Sequence, residues 1–116
     1  MAKRTRFQFF VAEQRGTTKS IAANTTLTEA HILQDGNGFI KIVGAYTLTL
    51  PAASDALKGI SLIVAGDNAS SKVAVVAGFG GGGGSYDTVT VGAYNALKVW
   101  CDGTYWYALT GSVAAS

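Results

Sequence analysis

Few residues of this chain are of the types that perform catalysis or hold metal ions. His31 is the only histidine and Cys101 is the only cysteine, so no second residue of either type stands at metal-ligand spacing. A Ser-His-acid triad would have to be assembled by folding alone, because no local pattern around His31 supports one. The sequence therefore predicts no catalytic residue, no metal site and no cofactor, and it gives His31 a structural or surface role.

The acidic residues could form the paired carboxylates of a glycoside hydrolase, since only their separation in space matters for that chemistry. Four of them, however, flank Gly, Asn or a strand edge: Asp35, Asp67, Asp87 and Asp102. Aspartate at such positions forms turns by accepting backbone hydrogen bonds. Turn formation is the simpler explanation, and we expect a non-enzymatic protein.

The glycine-rich run at residues 78–85 is the one low-complexity segment. A phosphate-binding loop would end in a Lys-Ser/Thr pair and open a helix. Here the run leads into Ser-Tyr-Asp-Thr-Val at residues 85–89, which is a strand pattern. The sequence predicts a mobile surface loop between two strands.

The C-terminal segment, residues 97–109, carries much of the aromatic surface. Two β-forming runs flank an Asp-Gly pair at residues 102–103, which predicts a hairpin because glycine accepts the positive φ of a tight turn. A two-residue turn there would place Trp100 opposite Tyr105.

Alternation along this hairpin predicts two unequal faces. The face expected in the core holds Leu97, Val99, Cys101, Trp106 and Ala108. The other face, a candidate interface, holds Lys98, Trp100, Tyr105 and Tyr107. Tyr and Trp combine a large apolar area with a polar tip, so this face suits a second core layer, a subunit interface or a sugar-binding platform. The sequence leaves these three alternatives open.

Apolar alternation with a period of two recurs along the chain, and no segment of useful length has a helical period. Turn signals separate the runs, and residues 52–58 are expected to form one helical turn. Strands at this short spacing predict an all-β fold, an antiparallel sandwich or barrel-like domain of about eight strands. No internal repeat is long enough to indicate a solenoid.

Charge is scarce and unevenly placed. Charged residues make up 14% of the 116 residues, against about 25% in ordinary soluble domains, and this shortage favours assembly with a partner. Residues 1–19 carry five cations against Glu13, a net charge of +4. We divide the chain into a basic N-terminal arm (1–19) and a compact β domain (20–116). No run approaches the roughly 20 apolar residues of a membrane span, so no membrane partner is expected.

The arm supplies a second set of candidate interface residues: Lys3, Arg4, Arg6, Phe7 and Phe9. Only three charges precede Phe7, too few for strong nucleic-acid binding, so no nucleic-acid partner is expected. The arm is either a solvated tail or a segment that docks. An unpaired apolar run at residues 7–11 would be an exposed, adhesive strand, which favours docking on another chain or completion of the home sheet.

Three strand-and-turn segments follow one another in an order that is typical of a known class of protein domain. Tyr-Thr-Leu-Thr-Leu-Pro-Ala-Ala at residues 46–53 is followed by Gly-Ile-Ser-Leu-Ile-Val at 59–64 and by a closing run at 97–106 that contains Asp-Gly-Thr-x-Trp. In this order of strands and turns, residues 25–109 resemble small virion structural domains of tailed bacteriophages. Such domains occur in capsid decoration (cement) proteins and in tail fibres.

The resemblance implies a decoration protein, since a fibre subunit is usually much longer. It implies a homotrimer on the capsid exterior, made in the host cytoplasm, that bridges major capsid subunits and stabilises the shell. The alternative is a carbohydrate-binding module or a tail-fibre receptor-binding domain. The family has no shared catalytic or ligand motif to carry over to this chain.

Overall fold

Two β-sheets facing one shared core form the fold, which a computed structural model describes for residues 18–35 and 38–109. The nine strands of this part of the chain are β1 (Thr18–Ile21), β2 (Thr25–Thr26), β3 (Phe39–Ile42), β4 (Thr47–Leu50), β5 (Ser61–Gly66), β6 (Lys72–Val75), β7 (Thr88–Thr90), β8 (Asn95–Cys101) and β9 (Trp106–Leu109). The helical elements are α1 (Glu29–Asp35) and three 3-10 turns, η1 (Asp55–Leu57), η2 (Phe79–Gly81) and η3 (Gly83–Tyr86). The all-β fold of about eight strands is confirmed.

The sheets are mixed rather than wholly antiparallel, which corrects part of the prediction. The five-stranded sheet has the order β1-β3-β5-β8-β9 and the four-stranded sheet the order β2-β4-β6-β7. The pairs β1/β3, β3/β5, β2/β4 and β4/β6 are parallel, whereas β5/β8, β6/β7 and β8/β9 are antiparallel. Within residues 18–35 and 38–109, the hairpins are therefore β6/β7 and β8/β9, which both lie after residue 71.

The parallel pairs arise because successive strands enter opposite sheets. Short connectors at residues 22–24, 43–46 and 67–71 carry the chain from the five-stranded sheet to the four-stranded one. Three coils result, each giving one strand to each sheet. Thr18 pairs with Phe39 and Phe39 pairs with Ile63, spacings of 21 and 24 residues. The chain thus stacks like a short solenoid, although its sequence contains no visible repeat.

Polar side chains tie the connectors of neighbouring coils together. The backbone N–H of Thr47 donates to Asn24 Oδ1 at 2.9 Å, and that of Gly44 donates to Asp67 Oδ1 at 2.7 Å. The fully buried Ser71 donates its hydroxyl to the Gly44 carbonyl at 2.8 Å. Gly44 has a φ of +108°, which an L side chain adopts only with strain. Where a connector turns from one sheet to the other, its backbone groups no longer pair within a β-ladder. These hydrogen bonds satisfy such groups instead.

The inward faces of both sheets form one core, as the period-two alternation predicts. Trp106, on β9, is fully buried, and its indole N–H donates to the Pro51 carbonyl at 2.8 Å. The tryptophan of the closing hairpin is thereby attached to the connector that follows β4. This bond gives a physical reason for a Leu-Pro strand end and an Asp-Gly-Thr-x-Trp hairpin to occur in one chain.

The sequence reading missed α1. The helix begins after Thr28, whose Oγ1 accepts the His31 N–H at 3.2 Å while the Thr28 N–H donates to His31 Nδ1, also at 3.2 Å. This reciprocal pair is a capping box in which histidine replaces the usual Glu or Gln. The side chain of Ile32 is buried and anchors the helix to the core. His31 has the surface and structural role expected of it. The helical turn expected within residues 52–58 is present as η1.

The first described strand begins inside the segment predicted as the arm. Thr18 and Lys19 belong to β1 and pair with Phe39 and Ile40, so the sheet starts two residues before position 20. The candidate interface residues of the arm, Lys3, Arg4, Arg6, Phe7 and Phe9, lie outside the described residues. In the part of the chain that the structure describes, no helix has the length and apolarity to cross a membrane.

Candidate interface on the outer face of the five-stranded sheet

The hairpin of β8 and β9 has the predicted faces but a different register. Trp100 pairs with Tyr107 and Cys101 pairs with Trp106, two residues away from the predicted pairing. The turn therefore contains four residues, 102–105, instead of two. Because a shift of two residues preserves the side-chain alternation, Trp106 and Cys101 remain in the core and Trp100 and Tyr107 remain outside.

Asp102 explains the longer turn. Its Oδ1 accepts the Thr104 N–H at 2.8 Å and the Tyr105 N–H at 2.7 Å, and its own N–H donates to the Tyr105 carbonyl at 3.1 Å. In a two-residue turn, the N–H groups of Thr104 and Tyr105 would belong to the strand. Here the Asp102 side chain accepts both of them instead. The same backbone N–H groups, those of Tyr105 and Thr104, hold the pKa of the Asp102 carboxyl below its ordinary value.

Three of the four predicted candidates on this hairpin lie on the outer face of the sheet, namely Lys98, Trp100 and Tyr107. The Trp100 and Tyr107 rings lie 5.8 Å apart between centroids and are tilted by 36°, within the range of favourable aromatic pairs. Partial desolvation, and then the adjacent Asp102 carboxylate, raise the pKa of the Tyr107 hydroxyl. Tyr105 lies in the turn, at the edge of this face.

The glycine-rich segment, predicted as a loop between two strands, forms η2 and η3 and lies against the aromatic residues. Phe79 is buried and anchors it. A Cβ on Gly81 would stand 3.0 Å from the Tyr105 ring, and one on Gly80 would stand 3.3 Å from the Tyr107 ring. The two tyrosine rings therefore pack directly on backbone, which only glycine permits at this distance.

Three further residues extend this face into a larger patch, which the sequence analysis missed: Leu109 at the end of β9, and Phe39 and Ile63 on two other strands. The β-ladders align Phe39 with Ile63, Ile63 with Lys98, and Lys98 with Leu109 across four neighbouring strands. We define the apolar patch as the exposed apolar residues of this outer face: Phe39, Ile63, Trp100, Tyr107 and Leu109. Their exposed fractions run from 36% for Tyr107 to 64% for Leu109, too high for a second core layer of the described chain.

A sequence signal for Ile63 existed. It lies inside a run of apolar residues at 62–65, which is longer than alternation requires and places apolar side chains on both faces of β5. Phe39 and Leu109 carry a similar signal, each at the end of a strand whose inner face is already apolar. Their position beside Lys98 depends on the order of the strands, which local pattern does not specify.

Two lysines are the charged residues of the patch and its border. Lys98 lies within the patch, between Ile63 on β5 and Leu109 on β9. Lys41 lies at the border, beside Ser20 on β1 and Ala65 on β5. Both are exposed, and neither forms an ion pair with another described residue. At the end of the patch that holds Trp100 and Tyr107, the neighbouring carboxylate is that of Asp102 in the turn.

The outer face of the four-stranded sheet differs in chemistry. Its ladders align threonines with small or cationic side chains: Thr26, Thr47, Thr49, Lys72, Ala74 and Thr90. None of the exposed large apolar side chains of the described residues lies on a strand of this sheet. Among the described strands, exposed large apolar side chains thus lie only on the five-stranded sheet, and this asymmetry marks its outer face as a candidate interaction face.

The described residues contain no group of three or more His, Cys, Asp or Glu side chains placed to hold a metal ion. The side chains of Asp67 and Asp102 hold a connector and a turn by accepting backbone N–H groups, as expected of acids at turn positions. Asp87 accepts the Thr88 hydroxyl, and Asp35 is the last residue of α1 rather than part of a turn. Comparison with models of known protein families, with curated proteins and with solved structures finds no match to the chain.

Proposed function

We propose that this chain is a non-enzymatic virion structural protein, a capsid decoration protein that docks on the major capsid protein through the apolar patch. The observation that carries the proposal is the asymmetry of the sandwich. A soluble domain that exposes Phe39, Ile63, Trp100 and Leu109 together on one rigid sheet has a surface suited to burial against another protein. The resemblance of residues 25–109 to phage virion domains supplies the class of partner.

The size of the patch favours binding to a repeating surface. It crosses four strands, about 14 Å at the usual strand spacing, and occupies two rows about 7 Å apart along the strands. With the width of the side chains it presents roughly 300–400 Å², about half of the area that each partner buries in a standard stable interface. One such contact is weak, but several copies joined together on a lattice bind strongly through high effective concentration. A homotrimer on the capsid exterior fits this requirement.

Stabilisation of the capsid would follow from mass action. A protein that binds the assembled shell but not its separated subunits shifts the equilibrium towards the shell. Preordered docking faces lose little conformational entropy when they bind, and the β-ladders and the aromatic pair support this face.

The test is binding to expanded capsids of the major capsid protein of the same virus. The wild-type chain should cosediment with the capsids and raise their melting temperature. The variant Ile63→Ser should lose most of this binding, because burying the 42% of the Ile63 side chain now exposed is worth about 1 kcal/mol per copy, multiplied over the copies that bind together. The matched control is Val76→Ser, which changes another exposed aliphatic residue outside the patch. Absence of capsid binding by the wild-type chain, or equal binding by both variants, contradicts the proposal.

A second candidate function, carbohydrate binding, rests on the Trp100–Tyr107 ring pair. Two exposed rings beside a carboxylate, that of Asp102, have the composition of a sugar-stacking platform. Here glycans should shift the tryptophan fluorescence, and Trp100→Ala should abolish the shift without unfolding the chain. The variant Ile63→Ser separates the two functions, since it lies outside the ring pair and should leave glycan binding unchanged.

A further inference from the structure

We propose that the protein surface docked on the apolar patch carries a carboxylate placed opposite Lys98, with further acidic groups facing Lys41. This inference rests on the proposed function and specifies the chemistry of the partner. It follows from the position of one cation inside an otherwise apolar surface.

Among the described residues, Lys98 has no ladder neighbour able to neutralise it after docking. Its ladder partners are Ile63 on one side and Leu109 on the other, and Trp100 follows two residues later on the same face. A partner that covers these apolar side chains also removes water from the lysine. A desolvated, unpaired ammonium opposes binding strongly, so a stable complex needs a counter-charge that the described part of this chain does not provide.

Lys41 acts at longer range. It lies at the border of the patch beside Ser20 and Ala65, where it stays partly hydrated in a complex. Charges in such rim positions alter the association rate and its dependence on salt more than they alter the lifetime of the complex. The two lysines therefore have separable roles. Lys98 affects the lifetime of the complex, and Lys41 affects the rate at which the complex forms.

The same charges argue against a second copy of this chain as the occupant. Two copies joined symmetrically through the patch would bring Lys98 and Lys41 of one copy against the equivalent lysines of the other. No acidic side chain of the described residues lies on the strand positions of this outer face to relieve that repulsion. Trimer contacts of the kind proposed above would have to use other surfaces.

The experiment measures binding of full-length variants to expanded capsids of the major capsid protein. Lys98→Met retains the aliphatic stem and removes only the charge. It should weaken binding about 30-fold, the equivalent of about 2 kcal/mol, because it leaves the partner carboxylate buried without a counter-ion. Lys98→Glu should weaken it further. Lys41→Glu should slow association and reduce its salt dependence, with little change in dissociation. The control is Lys72→Met, the same change on the threonine-rich outer face.

The outcomes separate this inference from the proposed function. If the wild-type chain binds capsids, Ile63→Ser does not, and Lys98→Met binds as well as or better than wild type, then the partner has no carboxylate there and only the present inference fails. If the wild-type chain does not bind capsids, both fail. Concentration-dependent dimers that Ile63→Ser abolishes, seen by sedimentation without capsids, would identify a second copy as the occupant and also overturn the inference. Urea unfolding of each variant verifies that the exposed lysines can be changed without loss of the fold.

Discussion

The substitution Trp106→Phe tests the two-faced hairpin most directly. It removes the indole N–H that donates to Pro51 at 2.8 Å and leaves that carbonyl without its partner, at a cost of about 1–3 kcal/mol. The smaller ring also leaves a cavity at a fully buried site, which adds roughly 1–2 kcal/mol. We expect a total loss of about 2–5 kcal/mol, a large part of the stability of a domain of this size.

The matched control is Trp100→Phe, which changes the only other tryptophan. Trp100 is 41% exposed on the outer face, so this variant should change the unfolding free energy by less than about 1 kcal/mol. In urea titrations the midpoint should fall by roughly 1–3 M for Trp106→Phe and by much less for Trp100→Phe. The emission of Trp100→Phe, which retains the buried Trp106, should also lie at shorter wavelength than that of Trp106→Phe. Equal midpoints, or the reverse order of emission, would refute the assignment of the two faces.

Three other substitutions test the turn, the glycine-rich segment and the connectors. Because the folded state lowers the pKa of Asp102, its ionised form stabilises the fold above about pH 4 and this contribution is lost as the pH falls through the lowered value. Asp102→Asn, which keeps an acceptor oxygen, should therefore show a smaller fall in urea midpoint between pH 5 and pH 2 than wild type. Gly81→Ala should destabilise by about 1–3 kcal/mol and displace Tyr105, detectable in the tyrosine NMR signals, because Gly81 has a φ of +84° and its Cβ would stand 3.0 Å from that ring. Ser71→Ala should cost about 0.5–1.5 kcal/mol in the same titrations, since it removes one of the two donors to the Gly44 carbonyl, which keeps the Tyr46 N–H, and no loss at all would mean that the connectors are not held in this way.

The alternation of the sequence predicts the faces of the hairpin but not its register. Faces depend only on whether a residue is odd or even along the strand, so a shift of two residues leaves them unchanged. The register depends on the turn, and the turn depends on how many backbone donors the Asp102 side chain satisfies. Because an aspartate side chain can accept two backbone N–H groups, Asp102 is compatible with a four-residue turn as well as a two-residue one.

The coils and the apolar patch depend on information that local patterns do not contain. Alternation is equally compatible with a strand that turns back within its sheet and with one that crosses to the opposite sheet. The choice is made at connectors such as residues 43–46, where Gly44 bonds to groups more than 20 residues away. The patch in turn joins Phe39 to Leu109 through the ladders of two intervening strands. Its existence follows from the strand order, which is a property of the whole chain.

The stacked coils also determine which changes of length this protein tolerates. A single residue inserted in β3 or β5 would exchange the core and outer faces of the remainder of that strand, placing its apolar row in water and, in β3, Lys41 in the core. A whole coil of 21–25 residues inserted at a connector would instead repeat the existing geometry, because each coil contacts mainly its two neighbours. Lineages that carry this architecture are thus free to lengthen or shorten by complete coils. The closing β8–β9 hairpin would remain at one end. The distance between that end and the first strand would then be set by the number of coils.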